Sequence, residues 1–124
     1  KEVNDTYGHA VGDELLRTFA QRLIHAVRSN DVLGRLGGDE FVILIEGDEA
    51  AYTDRVAGAV LACAQLSFNL REHWVEIGAS IGIAIGRGGE KTVHQLSEEA
   101  DAALYQAKRD GKNCFRRFRI SAAA

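Results

Sequence analysis

Apolar residues recur at Leu15, Leu16, Phe19, Ala20, Leu23, Ile24 and Val27. That spacing of three and four predicts an amphipathic helix over about Asp13 to Arg28. Two short apolar runs follow, Val32 to Leu36 and Phe41 to Ile45, separated by Gly37-Gly38-Asp39-Glu40. Strands joined by a turn that needs glycine freedom make a hairpin, and this one carries two acids at its tip. From Glu49 to Gln65, the positions Ala50, Val56, Val60, Leu61 and Ala64 suit a second helix, weakened by Gly58. Ser67 to Leu70 and Val75 to Ile85 read as strands about a turn at Arg71 to His73, with Gly86 to Gly89 ending the second. A last helix is expected from Thr92 or Ser97 to Arg109, stopped by Gly111, then a final strand over Cys114 to Phe118. Residues 1–120 thus read as one domain of the α/β (α+β) class, a sheet with helices packed on it, and Ser121 to Ala124 as a frayed tail.

Composition narrows the function classes. The 124 residues, 46% of them hydrophobic, suit one compact domain. A formal net charge of −3 supplies no basic field for a nucleic-acid polymer or an anionic membrane, so any phosphate binding has to be local. No apolar run approaches the roughly 20 residues that span a bilayer. Cys63 and Cys114 form no CxxC pair and suggest neither a disulfide framework nor a zinc site; they read as buried thiols. His9, His25, His73 and His94 are too scattered for a ligand spacing such as His at i and i+4. Trp74, Tyr105 and Phe118 read as core or edge aromatics, and Arg116, Arg117 and Arg119 as a solvated strand face.

Asp39 and Glu40 carry the candidate chemistry. Adjacent carboxylates on a glycine turn can approach a ligand closely and hold a divalent cation through hard oxygen donors. For an arbitrary Gly-Asp turn, a solvated hairpin tip is the ordinary reading. The surroundings change that. The run Gly37-Gly38-Asp39-Glu40-Phe41 resembles the signature of the GGDEF family, and three further blocks resemble it in order. These are Lys1-Glu2-Val3-Asn4-Asp5-Thr6-Tyr7-Gly8-His9-Ala10-Val11-Gly12-Asp13, then Ser80-Ile81-Gly82-Ile83-Ala84, then the stretch from Ala100 to Asn113.

The resemblance implies a central, mostly antiparallel sheet flanked by helices, like the palm of nucleotide cyclases and polymerases. It implies a diguanylate cyclase that condenses two GTP into cyclic di-GMP and two pyrophosphates with Mg²⁺ (or Mn²⁺), as a homodimer in which each protomer holds one GTP. Asp39 and Glu40 would serve as metal ligands and catalytic acids, without a decision as to which activates the 3′-hydroxyl. Gly37 and Gly38 would let the substrate approach the backbone. By themselves Asn4 reads as a turn former and Asp13 as a helix N-cap; the resemblance assigns both to guanine, whose N1 and N2 donors suit a carboxylate and whose O6 or N7 suits an amide. Lys108 and Lys112 suit the end of a helix for dipole reasons alone, and the resemblance places them on phosphates. The second position is usually Arg in the family, and Lys lacks its bidentate fork. Arg28 and Asp31 resemble the family's RxxD site, where cyclic di-GMP binds as product and inhibitor. An Arg closing a helix and an Asp opening a strand would look the same.

One departure stands out. The family places a strand ending in Asp-x-Asp-x-Phe ahead of the residue matching Lys1, with a further metal-ligating Asp, and the 124 residues do not include it. Little or no cyclase activity is therefore expected of this stretch alone. A silent module that binds GTP or cyclic di-GMP to regulate an attached domain is the alternative function. GTP supply and reduced thiols imply a cytoplasmic domain without direct membrane contact, in a parent that can be membrane-tethered.

Overall fold

A computed structural model of the chain describes residues 2–29, 31–37, 40–45, 50–86 and 89–118. In chain order these form α1 (Glu2–Tyr7), α2 (His9–Ala26), β1 (Val32–Gly37), β2 (Glu40–Leu44), α3 (Ala50–Gln65), β3 (Phe68–Leu70), β4 (His73–Val75), β5 (Ser80–Ile83), α4 (Val93–Arg109) and β6 (Cys114–Arg117). Among the described residues the strands pair in twos: β1 with β2 and β3 with β4 antiparallel, β5 with β6 parallel. The mixed class and the predominance of antiparallel pairing are those the sequence led us to expect. The chain divides into two compact units, Lys1–Glu49 with Ala62–Ile77, and Ala50–Leu61 with Gly78–Ala124.

In the first unit α2 is the organising element. Val11, Leu15, Phe19 and Leu23 recur every fourth residue and are all buried, which is one row along a helix face. Phe19 meets the rings of Phe41 and Phe68 edge-on, at centroid distances of 5.7 and 6.4 Å, a favoured arrangement for aromatic quadrupoles. Arg22 fixes the residues after α3: its guanidinium donates to the carbonyls of Cys63 (3.0 Å), Leu66 (2.8 Å) and Ser67 (2.9 Å) and lies 3.6 Å over the Phe68 ring. A cation satisfying carbonyls left open at a helix C-terminus is stabilised by the dipole as well as by the bonds. The β3–β4 turn is tighter than expected. Arg71 and Glu72 both have positive φ, 48° and 71°, as a two-residue hairpin requires, and His73 already belongs to the strand.

In the second unit α4 is capped by Thr92, not Ser97, and begins at Val93. Thr92 Oγ1 accepts from the Gln95 N–H at 3.0 Å while Gln95 Oε1 accepts from the Thr92 N–H at 2.8 Å, a reciprocal cap. The single strand expected over Val75 to Ile85 is two strands. Residues 76–79 leave the ladders because the Ala79 N–H donates to the Asn113 side chain at 3.1 Å and Gly78 lies against that same carboxamide. At Gly82, β5 runs so close to α4 that a Cβ would overlap the Ala100 carbonyl and the backbone of Leu104.

Other residues depart from their expected settings. Of the residues read as core or edge aromatics, Trp74 is exposed on β4, a strand of a two-stranded sheet, and Tyr105 is exposed on α4. Arg116 and Arg117 are half-buried, engaged by Asp110 and Asp54 respectively. Both thiols are half-buried, and each points at a carbonyl, Cys63 at Arg22 and Cys114 at Ala107.

The glycines give a paired stability prediction. Gly82→Ala is expected to cost about 1–3 kcal/mol through overpacking against helix backbone that cannot yield. Gly58→Ala, in the interior of α3 with open space at the Cβ position, is expected to stabilise by about 0.5–1 kcal/mol. Urea unfolding midpoints at unchanged m-value read both effects.

Candidate functional site

The acidic hairpin forms as an antiparallel ladder, Val32 opposite Leu44, Leu33 opposite Ile43, Gly34 opposite Val42 and Arg35 opposite Phe41. The register then shifts, and Gly37 pairs with Glu40. Such an irregularity tightens local twist next to a turn. Glu40 is exposed at the start of β2, with its carboxylate open to a ligand. Gly38 and Asp39 lie outside the described residues.

Asn4 and Asp13 are set by the α1–α2 junction. Gly8 has φ 94°, a conformation that side-chain-bearing residues rarely adopt, and breaks the two helices apart. Its N–H donates to the Asn4 carbonyl at 2.9 Å, and its own carbonyl accepts from the Gly12 N–H at 3.2 Å. Asn4 is therefore helical and not a turn former, and its half-buried carboxamide occupies the space that a Cβ on Gly12 would need. Asp13 lies inside α2, which starts at His9, so the N-cap reading fails. Its carboxylate is exposed and lines a cleft of about 590 Å³ with Leu16, Arg17 and Ala20 of α2 and Leu33, Gly34, Arg35 and Phe41 of the hairpin. Arg17 and Arg35 bring positive charge to this cleft, and no motif in the sequence marks them. Arg17 stands one helical turn beyond Asp13, and that i, i+4 spacing was the available signal.

Arg28 and Asp31 are brought together in the connection after α2. The Arg28 N–H donates to Asp31 Oδ2 at 2.9 Å, the Asp31 N–H donates to the Arg28 carbonyl at 3.0 Å, and the guanidinium lies 3.6 Å from Oδ1. The Asp31 side chain is only 1% exposed. The pair stands between Val27, which caps α2, and Val32, where β1 opens, the setting of an Arg after a helix and an Asp before a strand.

Lys108 and Lys112 belong to the second unit and are both exposed. Lys108 is in the last turn of α4. Lys112 follows it in a left-handed stretch in which Gly111, Lys112 and Asn113 have φ of 115°, 64° and 50°. The Asp110 N–H donates to Gln106 O at 2.9 Å and the Lys112 N–H to Ala107 O at 3.0 Å, closing the helix end. Asp110 itself is clamped. Arg116 Nε donates to one of its oxygens at 2.7 Å and Gln106 Nε2 to the other at 2.8 Å. The Arg116 hydrogen bond first, then that from Gln106, hold the Asp110 carboxyl below its ordinary pKa, and the same contact raises Arg116 above its own.

The sequence pattern described as "Diguanylate cyclase, GGDEF domain" matches residues 1–114. The chain belongs to the GGDEF family. It is 46% identical over 117 residues to the bifunctional diguanylate cyclase/cyclic di-GMP phosphodiesterase MucR of Pseudomonas aeruginosa, covering 93% of this chain. The chain spans only 17% of MucR's length. Among solved structures, the GGDEF domain of TpbB (YfiN) from Pseudomonas aeruginosa matches with a TM-score of 0.88 at 36% identity, over 95% of this chain and 70% of that one. The GGDEF domain of DgcB from Caulobacter crescentus, in complex with c-di-GMP, matches with a TM-score of 0.82 at 28% identity, over 94% and 62% of the two chains. The family resemblance and fold class expected from the sequence are thereby established. Diguanylate cyclases of the GGDEF family are nucleotidyltransferases that generally use a divalent metal, and Glu40 is a hard oxygen donor of the right kind. No described helix is long and apolar enough to cross a membrane.

The clamp on Asp110 gives a titration prediction. A depressed carboxyl pKa contributes stability that is present above the unfolded-state value and is lost as pH falls through the folded-state value. Arg116→Ala should move the Asp110 pKa upward toward the ordinary carboxylate range, read by NMR titration of its side-chain carboxyl. An unmoved titration would show that Arg116 does not hold it.

Proposed function

We propose that this GGDEF domain condenses two GTP into cyclic di-GMP and releases two pyrophosphates, working as one half of a homodimer. The observation that carries the proposal is the acidic hairpin, with Glu40 exposed beside the register shift, together with an exposed Asp13 on a cleft that the hairpin also lines.

Each residue has a chemical task on this reading. The Asp13 carboxylate accepts from guanine N1–H and N2–H, an edge that adenine lacks, and Asn4 donates to the base through its amide. Gly37 and Gly38, without side chains, admit the phosphates close to the backbone. Lys108 and Lys112 neutralise phosphate charge locally, which the net charge of −3 makes necessary. Asp39 and Glu40 are the carboxylates that would hold Mg²⁺ or Mn²⁺, which when bound supplies Lewis acidity at the α-phosphate. One of these two acids takes the proton from the 3′-hydroxyl. The 3′-oxygen of each nucleotide then forms a bond to the α-phosphorus of the other, and the bond to pyrophosphate breaks. Because each reacting nucleotide needs its partner held in line, the chemistry belongs to a pair of domains. Arg28 and Asp31 bind the cyclic product, supporting feedback inhibition.

The test is cyclic di-GMP formation from GTP and Mg²⁺, followed chromatographically, in a polypeptide that includes the Asp-x-Asp-x-Phe strand the family places before Lys1. Glu40→Ala is expected to reduce turnover by a factor on the order of 100 or more, as loss of a metal-positioning carboxylate does. Asp13→Ala is expected to weaken GTP binding and to narrow the preference for GTP over ATP, by an amount on the order of tenfold for a hydrogen-bonded carboxylate. GTP binding without any turnover would replace the enzyme by a nucleotide-responsive regulatory module.

A further inference from the structure

Lys112 sits in a backbone conformation that non-glycine residues rarely adopt, and so does the residue after it. Two successive left-handed residues after Gly111 persist only where the surroundings over-determine them. The bonds from the Asp110 and Lys112 N–H groups to α4 hold the near side of this stretch. The far side is held by Asn113. Its Oδ1 accepts from the Ala79 N–H at 3.1 Å, and its carboxamide fills the space over Gly78 that any side chain there would occupy. Beyond it, β6 starts at Cys114, paired with Ser80 of β5. The turn is therefore pinned to the segment ahead of β5 through one side chain, immediately after the lysine.

We propose that Asn113, seated on Gly78, is a positioning residue that holds Lys112 ready for a nucleotide phosphate. Asparagine is the side-chain-bearing residue type best suited to this place, because it tolerates the left-handed region and brings its own acceptor. A lysine ammonium on a flexible stem loses rotamer freedom when it binds, and a fixed backbone reduces the part of that cost that the loop would add. That matters more for lysine than for arginine, whose planar fork is preorganised. The strain at residues 111–113 is stored where a ligand contact is proposed, and it is offset by the Asn113 bond and the helix-end bonds.

The inference rests on the assignment of Lys112 to phosphate, and its test separates the two. Asn113→Gly keeps the left-handed backbone accessible while deleting the latch; Gly78→Ala expels the carboxamide from its seat. In the full chain, affinity for GTP and for guanosine is measured by calorimetry, with thermal unfolding alongside. Both variants are expected to weaken GTP by about three- to tenfold, the cost of ordering a loosened loop, with guanosine affinity unchanged. In a Lys112→Ala background, Asn113→Gly should cost nothing further, since contacts acting through one residue are not additive. Equal losses for guanosine and GTP, or an undiminished effect of Asn113→Gly when Lys112 is absent, would overturn the positioning role while leaving the phosphate contact standing. If Lys112→Ala alone leaves GTP affinity unchanged, the phosphate assignment falls and the positioning role falls with it.

Discussion

Close approach of a polar side chain or a helix to bare backbone is the constraint on which the placement of the candidate residues depends. Asn4 lies on Gly12, Asn113 lies on Gly78, and α4 lies on Gly82. In each case a methyl group would overlap atoms already present, and at Gly82 those atoms are helix backbone that cannot rotate away. The first contact fixes α1 against α2, so that Asn4 and Asp13 are held by one local unit. The second and third fix β5 against the turn and the helix that present Lys112 and Lys108. Glycine is thus used for packing at these sites, and for conformational freedom at Gly8 and Gly111, where φ is positive.

Charge in this domain is handled locally. A chain of net charge −3 does not attract phosphate over distance, so cations have to stand at defined points. Lys108 and Lys112 lie at the C-terminal end of α4, where the helix dipole itself favours positive charge and opposes a phosphate. The lysines are consequently stable there without a ligand, and any phosphate affinity must come from their ammonium groups and not from the helix end. Nearby, Arg116 is already committed to Asp110 and Arg117 to Asp54. The two exposed lysines are the cations the family resemblance points to.

In the first unit the same economy applies to carboxylates. Asp31 is enclosed and bound to Arg28, whereas Asp13 and Glu40 are exposed. Exposure costs a carboxylate nothing, while burial demands a partner. Asp13 faces the cleft and Glu40 opens β2 of the hairpin, while the partnered Asp31 shapes a loop. MucR, at 46% identity, combines cyclase and phosphodiesterase functions in a chain of which this domain matches 17%.

Much of this was legible from residue pattern. The period of Leu15, Phe19 and Leu23 gave α2, the two runs about Gly37-Gly38-Asp39-Glu40 gave the hairpin, and four ordered blocks gave the family, because each is a local property of the chain. What failed did so for reasons that lie outside the segment concerned. Val75 to Ile85 looked like one strand, yet Asn113, distant in sequence, takes the Ala79 N–H and ends the ladder. Asp13 looked like a helix start because acids favour that position, yet Gly8 had already broken the chain and α2 begins before it. Arg17 and Arg35 join Asp13 at one cleft only because α2 packs beside β1 and β2. Periodicity and motif report what each segment prefers; which side chain reaches which backbone group is decided by contacts between segments far apart in sequence, and the order of residues does not display those.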